Sequence, residues 1–177
     1  MLSCIESKDL ETFGIDLSEV AIQKAKVNVP RAKLSVGNAE SLPYPDNYFD
    51  YISCIGSLER MLNLERVLQE KQRVAKQDAS FCFMVRNSKN FTWRIKEFFN
   101  LKNNNGHQTA KDLDQWIEIF EQFGFEIEGV FPDQWILHRI VQIFSFGIIS
   151  PSPKRKFPRL LPLSLSHEFI FILKNNG

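Results

Sequence analysis

Along this chain, short apolar runs alternate with segments whose apolar residues recur every three or four positions, the pattern of strands interleaved with helices. Runs at Thr12 to Ile15, Lys33 to Val36, Asp50 to Ile55 and Ser80 to Val85 predict strands of a parallel sheet covered on both faces. Between the first two, a helix is expected from about Ser18 to Asn28, with Val20, Ala21, Ala25 and Val29 as its buried stripe. Leu64, Val67, Leu68 and Val74 mark one face of a second helix, capped by Asn63. The third helix has the clearest signals. Thr109 with Asp112 three residues on resembles a capping box, Leu113, Trp116, Ile117 and Phe120 space one face, and Gly124 ends it. Phe125 to Phe131 then predicts a strand, and Glu168 to Lys174 another, antiparallel to it at the sheet edge.

Residues 134–166 break this regularity and read as an apolar, proline-rich insertion between the last two strands. Trp135 to Ile149 is strongly apolar, with His138 and Arg139 its only ionisable residues, and Pro151, Pro153, Pro158 and Pro162 then surround a basic cluster at Lys154, Arg155 and Lys156. The apolar run is shorter than the roughly 20 residues that cross a bilayer. Three readings stay open: packing on the domain, a lid over a substrate, or a peripheral membrane contact through 135–156, with the basic cluster meeting anionic head groups.

Chemistry concentrates between Phe13 and Asp50. Asp16 ends a strand and Ser18 opens a helix, so the carboxylate stands at the carboxyl edge of a parallel sheet, where such sheets bind ligands. An acid there can accept hydrogen bonds from two ribose hydroxyls. Asn38 follows the next strand at the corresponding edge, where its side chain can bond a purine edge.

These residues resemble the class I S-adenosylmethionine-dependent methyltransferases, in particular their type 11 branch. That family ends its second strand in an acid, as at Asp16, and carries a Gly-Asp-Ala-Glu-x-Leu-Pro-Phe-x-Asp-x-x-Phe-Asp signature. Gly37 to Asp50 matches it, with Asn38 in place of the acid and Tyr44 in place of the Phe. A match of this length and spacing is far more specific than a lone glycine motif. The resemblance continues through Tyr51 to Glu59, Leu64 to Val74, Phe81 to Ser88 and Thr109 to Val130.

The resemblance implies an α/β, Rossmann-like methyltransferase sheet, mostly parallel with an antiparallel last strand, forming a single domain over 1–177. The family's first strand and its Gly-x-Gly-x-Gly turn have no counterpart here, so the expected domain is truncated at its start. Residues Met1 to Lys8 resemble the end of the helix that follows that turn. Because the turn holds the methionine part of the cofactor, weak binding is expected. In the family the missing strand lies between the one ending at Asp16 and the one from Asp50 to Ile55. The expectation is that these two close directly on each other, with self-association through unpaired strand edges.

On the same resemblance, S-adenosylmethionine would be held by Asp16, Leu17, Asn38, Ala39 and Gly56. Gly56-Ser57-Leu58-Glu59-Arg60 is similar to a Gly-Ser-Leu-Glu-His turn of some relatives, which makes Glu59 a candidate facing the sulfonium or substrate and puts Arg60 where they have histidine. Asn87, Trp93 and His107 lie in a polar segment after the fifth strand and are candidates for the acceptor site, His107 also for catalysis. Relatives carry Leu-Lys-Pro-Gly-Gly before that strand. Ala75-Lys76-Gln77-Asp78-Ala79 replaces it, and without glycine the turn must be remodelled or strained.

Composition narrows the remaining classes. The chain has 177 residues, 44% of them hydrophobic and 16 of them Phe, as a globular domain requires. Its net charge of +1 argues against an obligatory nucleic-acid partner. Cys4, Cys54 and Cys82 lack metal-ligand spacing and read as reduced core thiols of a cytoplasmic protein, with no metal site. The leading function is methyl transfer to a small-molecule or lipid-linked acceptor. The alternative is a non-catalytic remnant or binding module that keeps only the adenosine half of the site.

Overall fold

The computed structural model describes residues 10–90, 109–133 and 162–175. Its backbone runs β1 (Phe13–Asp16), α1 (Glu19–Asn28), β2 (Lys33–Val36), β3 (Phe49–Ile55), a 3-10 turn (Leu58–Arg60), α2 (Leu64–Val74), β4 (Ala75–Arg86), α3 (Leu113–Gln122), β5 (Phe125–Pro132) and β6 (Glu168–Asn175).

Stability is concentrated in a four-stranded sheet of order β3-β4-β6-β5. β3 pairs parallel to β4, and β6 runs antiparallel to both β4 and β5. The last strand therefore lies inside the sheet, and β5 forms the edge that the sequence assigned to it. Alternation explains the placement: Phe169, Phe171 and Leu173 of β6 and Phe81, Phe83 and Val85 of β4 are all buried, and both strands need neighbours on two sides. α3 covers this face with Trp116 and Phe120. Phe120 packs edge to face on Phe171 at 4.9 Å, and Phe125 does so on Phe81 at 5.0 Å. The capping box of α3 lies one turn later than the spacing suggested: Asp112 and Gln115 bond each other's backbone, and Thr109 is used elsewhere.

The turn that lost its glycines is remodelled without positive φ. α2 runs directly into β4, and residues Lys76 to Ala79 bulge opposite Asp50, because Phe49 pairs with Ala75 while Tyr51 pairs with Ser80.

β1 and β2 form a separate, parallel two-stranded sheet with α1 packed beside it. Among the described residues no ladder joins β1 to β3, so the expected direct closure of these strands is not found. Edge-to-face packing of Phe13 on Phe49 (5.3 Å), Tyr44 (5.6 Å) and Tyr48 (5.7 Å) fills the junction in its place. The buried face of α1 differs in part from expectation: Val29 is buried and Ala25 half-buried as expected, but Ile22 turns inward while Val20 and Ala21 are exposed.

Candidate functional site

Parallel pairing of β1 with β2 brings Asp16 opposite Val36, so the residues after each strand emerge at one edge. The Gly37 amide donates to the Asp16 carbonyl at 3.0 Å and closes that edge. A Cβ at Gly37 would lie 2.6 Å from Ile15 Cδ1, so any larger residue there has to displace the Ile15 side chain. Asp16 and Asn38, 22 residues apart in sequence, thus stand side by side. Each is oriented by its own chain. Ser18 N–H donates to Asp16 Oδ1 at 2.7 Å, and Glu40 N–H to Asn38 Oδ1 at 2.9 Å. Both side chains remain exposed.

Apolar surface flanks this polar pair. Leu17 and Val36 are exposed at the same edge, and Ala39 packs against the core. At the carboxyl end of β3, Ile55 is partly open, and Gly56 turns through φ 62° with nothing within 4 Å of a would-be Cβ. A carboxylate for a diol, a carboxamide for a base edge, aliphatic surface for its faces and a glycine leaving room suit the adenosine half of S-adenosylmethionine.

The signature segment is held from behind. Arg73 of α2 donates to the carbonyls of Tyr44 (2.9 Å) and Leu42 (3.0 Å) and pairs with Asp46 (2.6 Å) and Glu70 (2.8 Å). Glu70 in turn accepts from Leu42 N–H at 2.7 Å, and the guanidinium beside it holds its carboxyl below the usual range. Glu40 accepts from Asn63 N–H at 3.1 Å, tying the same segment to the cap of α2. Sequence reasoning missed Glu70 and Arg73. Their three-residue spacing on the outer face of a helix was the available signal.

The other candidates are distributed more widely. Glu59 is fully buried in the 3-10 turn, and Arg60 beside it is exposed. Asn87 is buried too, its Nδ2 donating to Ser166 O at 2.9 Å and its Oδ1 accepting from Lys89 N–H at 2.9 Å. Trp93, His107 and the apolar and basic stretch 135–156 lie outside the described residues. Burial raises the Cys54 and Cys82 thiols above their ordinary range, as core packing predicts. Among the described residues no cluster of His, Cys, Asp and Glu could hold a metal ion, and no helix is long and apolar enough to cross a membrane.

The fold is that of the class I S-adenosylmethionine-dependent methyltransferases. Residues 2–83 match the family model described as Methyltransferase domain. The chain is 44% identical over 86 residues, 47% of this chain and 33% of the relative, to an uncharacterised protein of Methanocaldococcus jannaschii. It is 41% identical over 71 residues, 37% of this chain and 30% of the relative, to a demethylmenaquinone methyltransferase of Geobacillus kaustophilus. These matches span about a third of each relative's length. In three dimensions it superposes on a SAM-dependent methyltransferase of Thermotoga maritima with a TM-score of 0.66 and 16% identity, covering 98% of this chain and 76% of that one. At that identity the likeness speaks for the fold.

Proposed function

We propose that the protein binds S-adenosylmethionine at the carboxyl edge of β1, β2 and β3 and takes part in transfer of its methyl group to a small-molecule or lipid-linked acceptor. The observation that carries this reading is the juxtaposition of Asp16 and Asn38 by the Gly37-to-Asp16 backbone bond. In the proposed complex the Asp16 carboxylate accepts from the ribose hydroxyls, Asn38 bonds the base edge, and Leu17 and Ala39 pack on its faces. Gly56 leaves room for the chain that leads toward the sulfur. The protein's contribution is placement: an acceptor held in line with an already activated methyl group, away from water, needs little further help. Arg60 and Asn87 stand on the segments that follow β3 and β4, the side from which an acceptor would approach. The menaquinone precursor named for one relative is a candidate acceptor of the lipid-linked kind.

Calorimetric titration with S-adenosylmethionine tests the reading. Weak, saturable binding is expected, and Asp16→Ala lowers affinity roughly 10- to 100-fold because a charged acceptor of two hydroxyls is lost. Asp78→Ala, in the β4 bulge, leaves it unchanged. Equal effects of the two substitutions would show that the site lies elsewhere.

A further inference from the structure

Glu59 is fully buried, and neither of its carboxylate oxygens has a hydrogen-bond partner among the described residues. A buried carboxylate is tolerated only when a counter-charge stands close. Here that charge is Arg86, whose Nε lies 3.6 Å from Glu59 Oε1 and 3.9 Å from Glu168 Oε1. One guanidinium therefore faces carboxylates from two other elements, the turn after β3 and the start of β6. The backbones of the same residues are engaged as well. Glu59 O accepts from Thr109 N–H at 3.0 Å, and Arg86 O accepts from Trp116 Nε1 at 3.1 Å. Both contacts end on the segment that opens and forms α3.

We propose that Glu59 is a positioning residue: its buried pairing with Arg86 fixes the turn from Gly56 to Arg60 against β4, β6 and the approach to α3, and so sets where β3 presents Gly56 to the cofactor. The consequence for the cofactor rests on the function proposed above; the clamp does not. Glu59 is enclosed by protein and acts through the backbone of the turn. The Gly56 amide also donates to Met84 O of β4 at 2.9 Å, and the charge pair adds a second, side-chain tie between the turn and the end of that strand. Other charged groups surround the pair. Arg60 and Asp133 act on Glu168, and Lys71 of α2 shares with Glu59 the neighbourhood of Cys54.

Amide hydrogen exchange on the intact chain tests the clamp, with Glu59→Gln, Arg86→Gln and the double variant. Arg86→Gln leaves the fully buried Glu59 carboxylate without that counter-charge, and Glu59→Gln removes one of the two carboxylates that face Arg86. Exchange at the Thr109 amide and across 56–61 is expected to rise at least tenfold, while amides of β4 and β6 stay within twofold of the parent. The double variant, with neither charge present, is expected closer to the parent than the two singles combined. A merely structural role would instead raise exchange throughout the sheet, and that pattern overturns the proposal. So does a Thr109 amide within twofold of the parent in Glu59→Gln. If the singles do not fold, Glu59→Asp keeps the charge on a shorter arm and is expected to exchange threefold to tenfold faster at Thr109; an unchanged rate there also overturns the clamp. Titration with S-adenosylmethionine accompanies each variant, with affinity expected to fall at least threefold in Glu59→Gln. Should the parent protein not bind S-adenosylmethionine, the proposed function fails while the exchange pattern still decides the clamp.

Discussion

The two sheets of this molecule divide its tasks. The β3-β4-β6-β5 sheet with α3 buries Phe81, Phe83, Phe169, Phe171, Trp116 and Phe120, while among the described residues the unit of β1, α1 and β2 buries only Ile22, Val29 and Thr12. Yet the unit with little core carries Asp16 and Asn38, the residues best suited to a cofactor. Hydrophobic burial scales with apolar area removed from water. The large sheet therefore sets the global stability, and the small one opens more readily and gains most from a ligand.

Core truncation should break the two regions apart most visibly. Phe83→Ala removes a ring that meets Phe81, Phe120 and Phe125, and it is expected to cost about 3–5 kcal/mol of global stability in denaturant unfolding. Ile22→Ala should cost about 2 kcal/mol, confined to opening of the small unit, with the midpoint of the large sheet nearly unchanged. A shift of the global midpoint comparable to that of Phe83→Ala would mean the two sheets unfold as one.

Gly37→Ala sharpens the same contrast at the site. The new Cβ must push Ile15 Cδ1 from 2.6 Å, a flexible end that can give way. About 1–2 kcal/mol of local stability is expected to be lost, with weaker S-adenosylmethionine binding and an unchanged β4–β6 ladder by exchange.

Helix caps give a smaller, paired comparison. Ser18→Ala removes the oxygen that accepts from Ala21 N–H, and Asn63→Ala removes the one that accepts from Arg66 N–H. Each should cost about 1 kcal/mol. The first acts on opening of the small unit, the second on α2 and the loop it holds.

The pH dependence should be the slightest effect. Cys54 is raised by burial, so its contribution is fully present below the ordinary thiol range and is lost as pH rises through its elevated value in the folded protein. Glu70 is lowered by Arg73, so its contribution is present above the ordinary carboxylate range and is lost as pH falls. Glu168, raised mainly by burial, runs opposite to Glu70: protonation at falling pH relieves its cost. Melting temperature should therefore fall at both alkaline and acid extremes. The acid side should be shallower than Glu70 alone would give, and Glu168→Gln should steepen it.

The sequence exposed much of this division and concealed particular parts of it. Periodicity located every described strand and helix because each is short, apolar and bounded by turn residues, and the 37–50 signature pointed directly to the edge at Asp16. The order of the last strands was hidden, since Phe125–Pro132 and Glu168–Asn175 are equally apolar and only tertiary pairing distinguishes edge from interior. The junction of β1 with β3 was hidden for a similar reason. Phe13, Tyr44, Tyr48 and Phe49 are scattered in sequence, and nothing local announces that their rings replace a ladder. Asp46 reads as an exposed turn residue, yet it meets Arg73 from 27 positions away. Glu59 carried a plausible role by position alone, and its burial against Arg86 depends on a contact that no spacing encodes.

Native-state hydrogen exchange across a denaturant series, with and without S-adenosylmethionine, tests the central claim most directly. The account predicts two tiers: amides of β4 and β6 exchanging only through global unfolding, and amides of β1 and β2 exchanging through a cheaper opening that the ligand slows. A single tier, or ligand protection confined to β5 and β6, would contradict it.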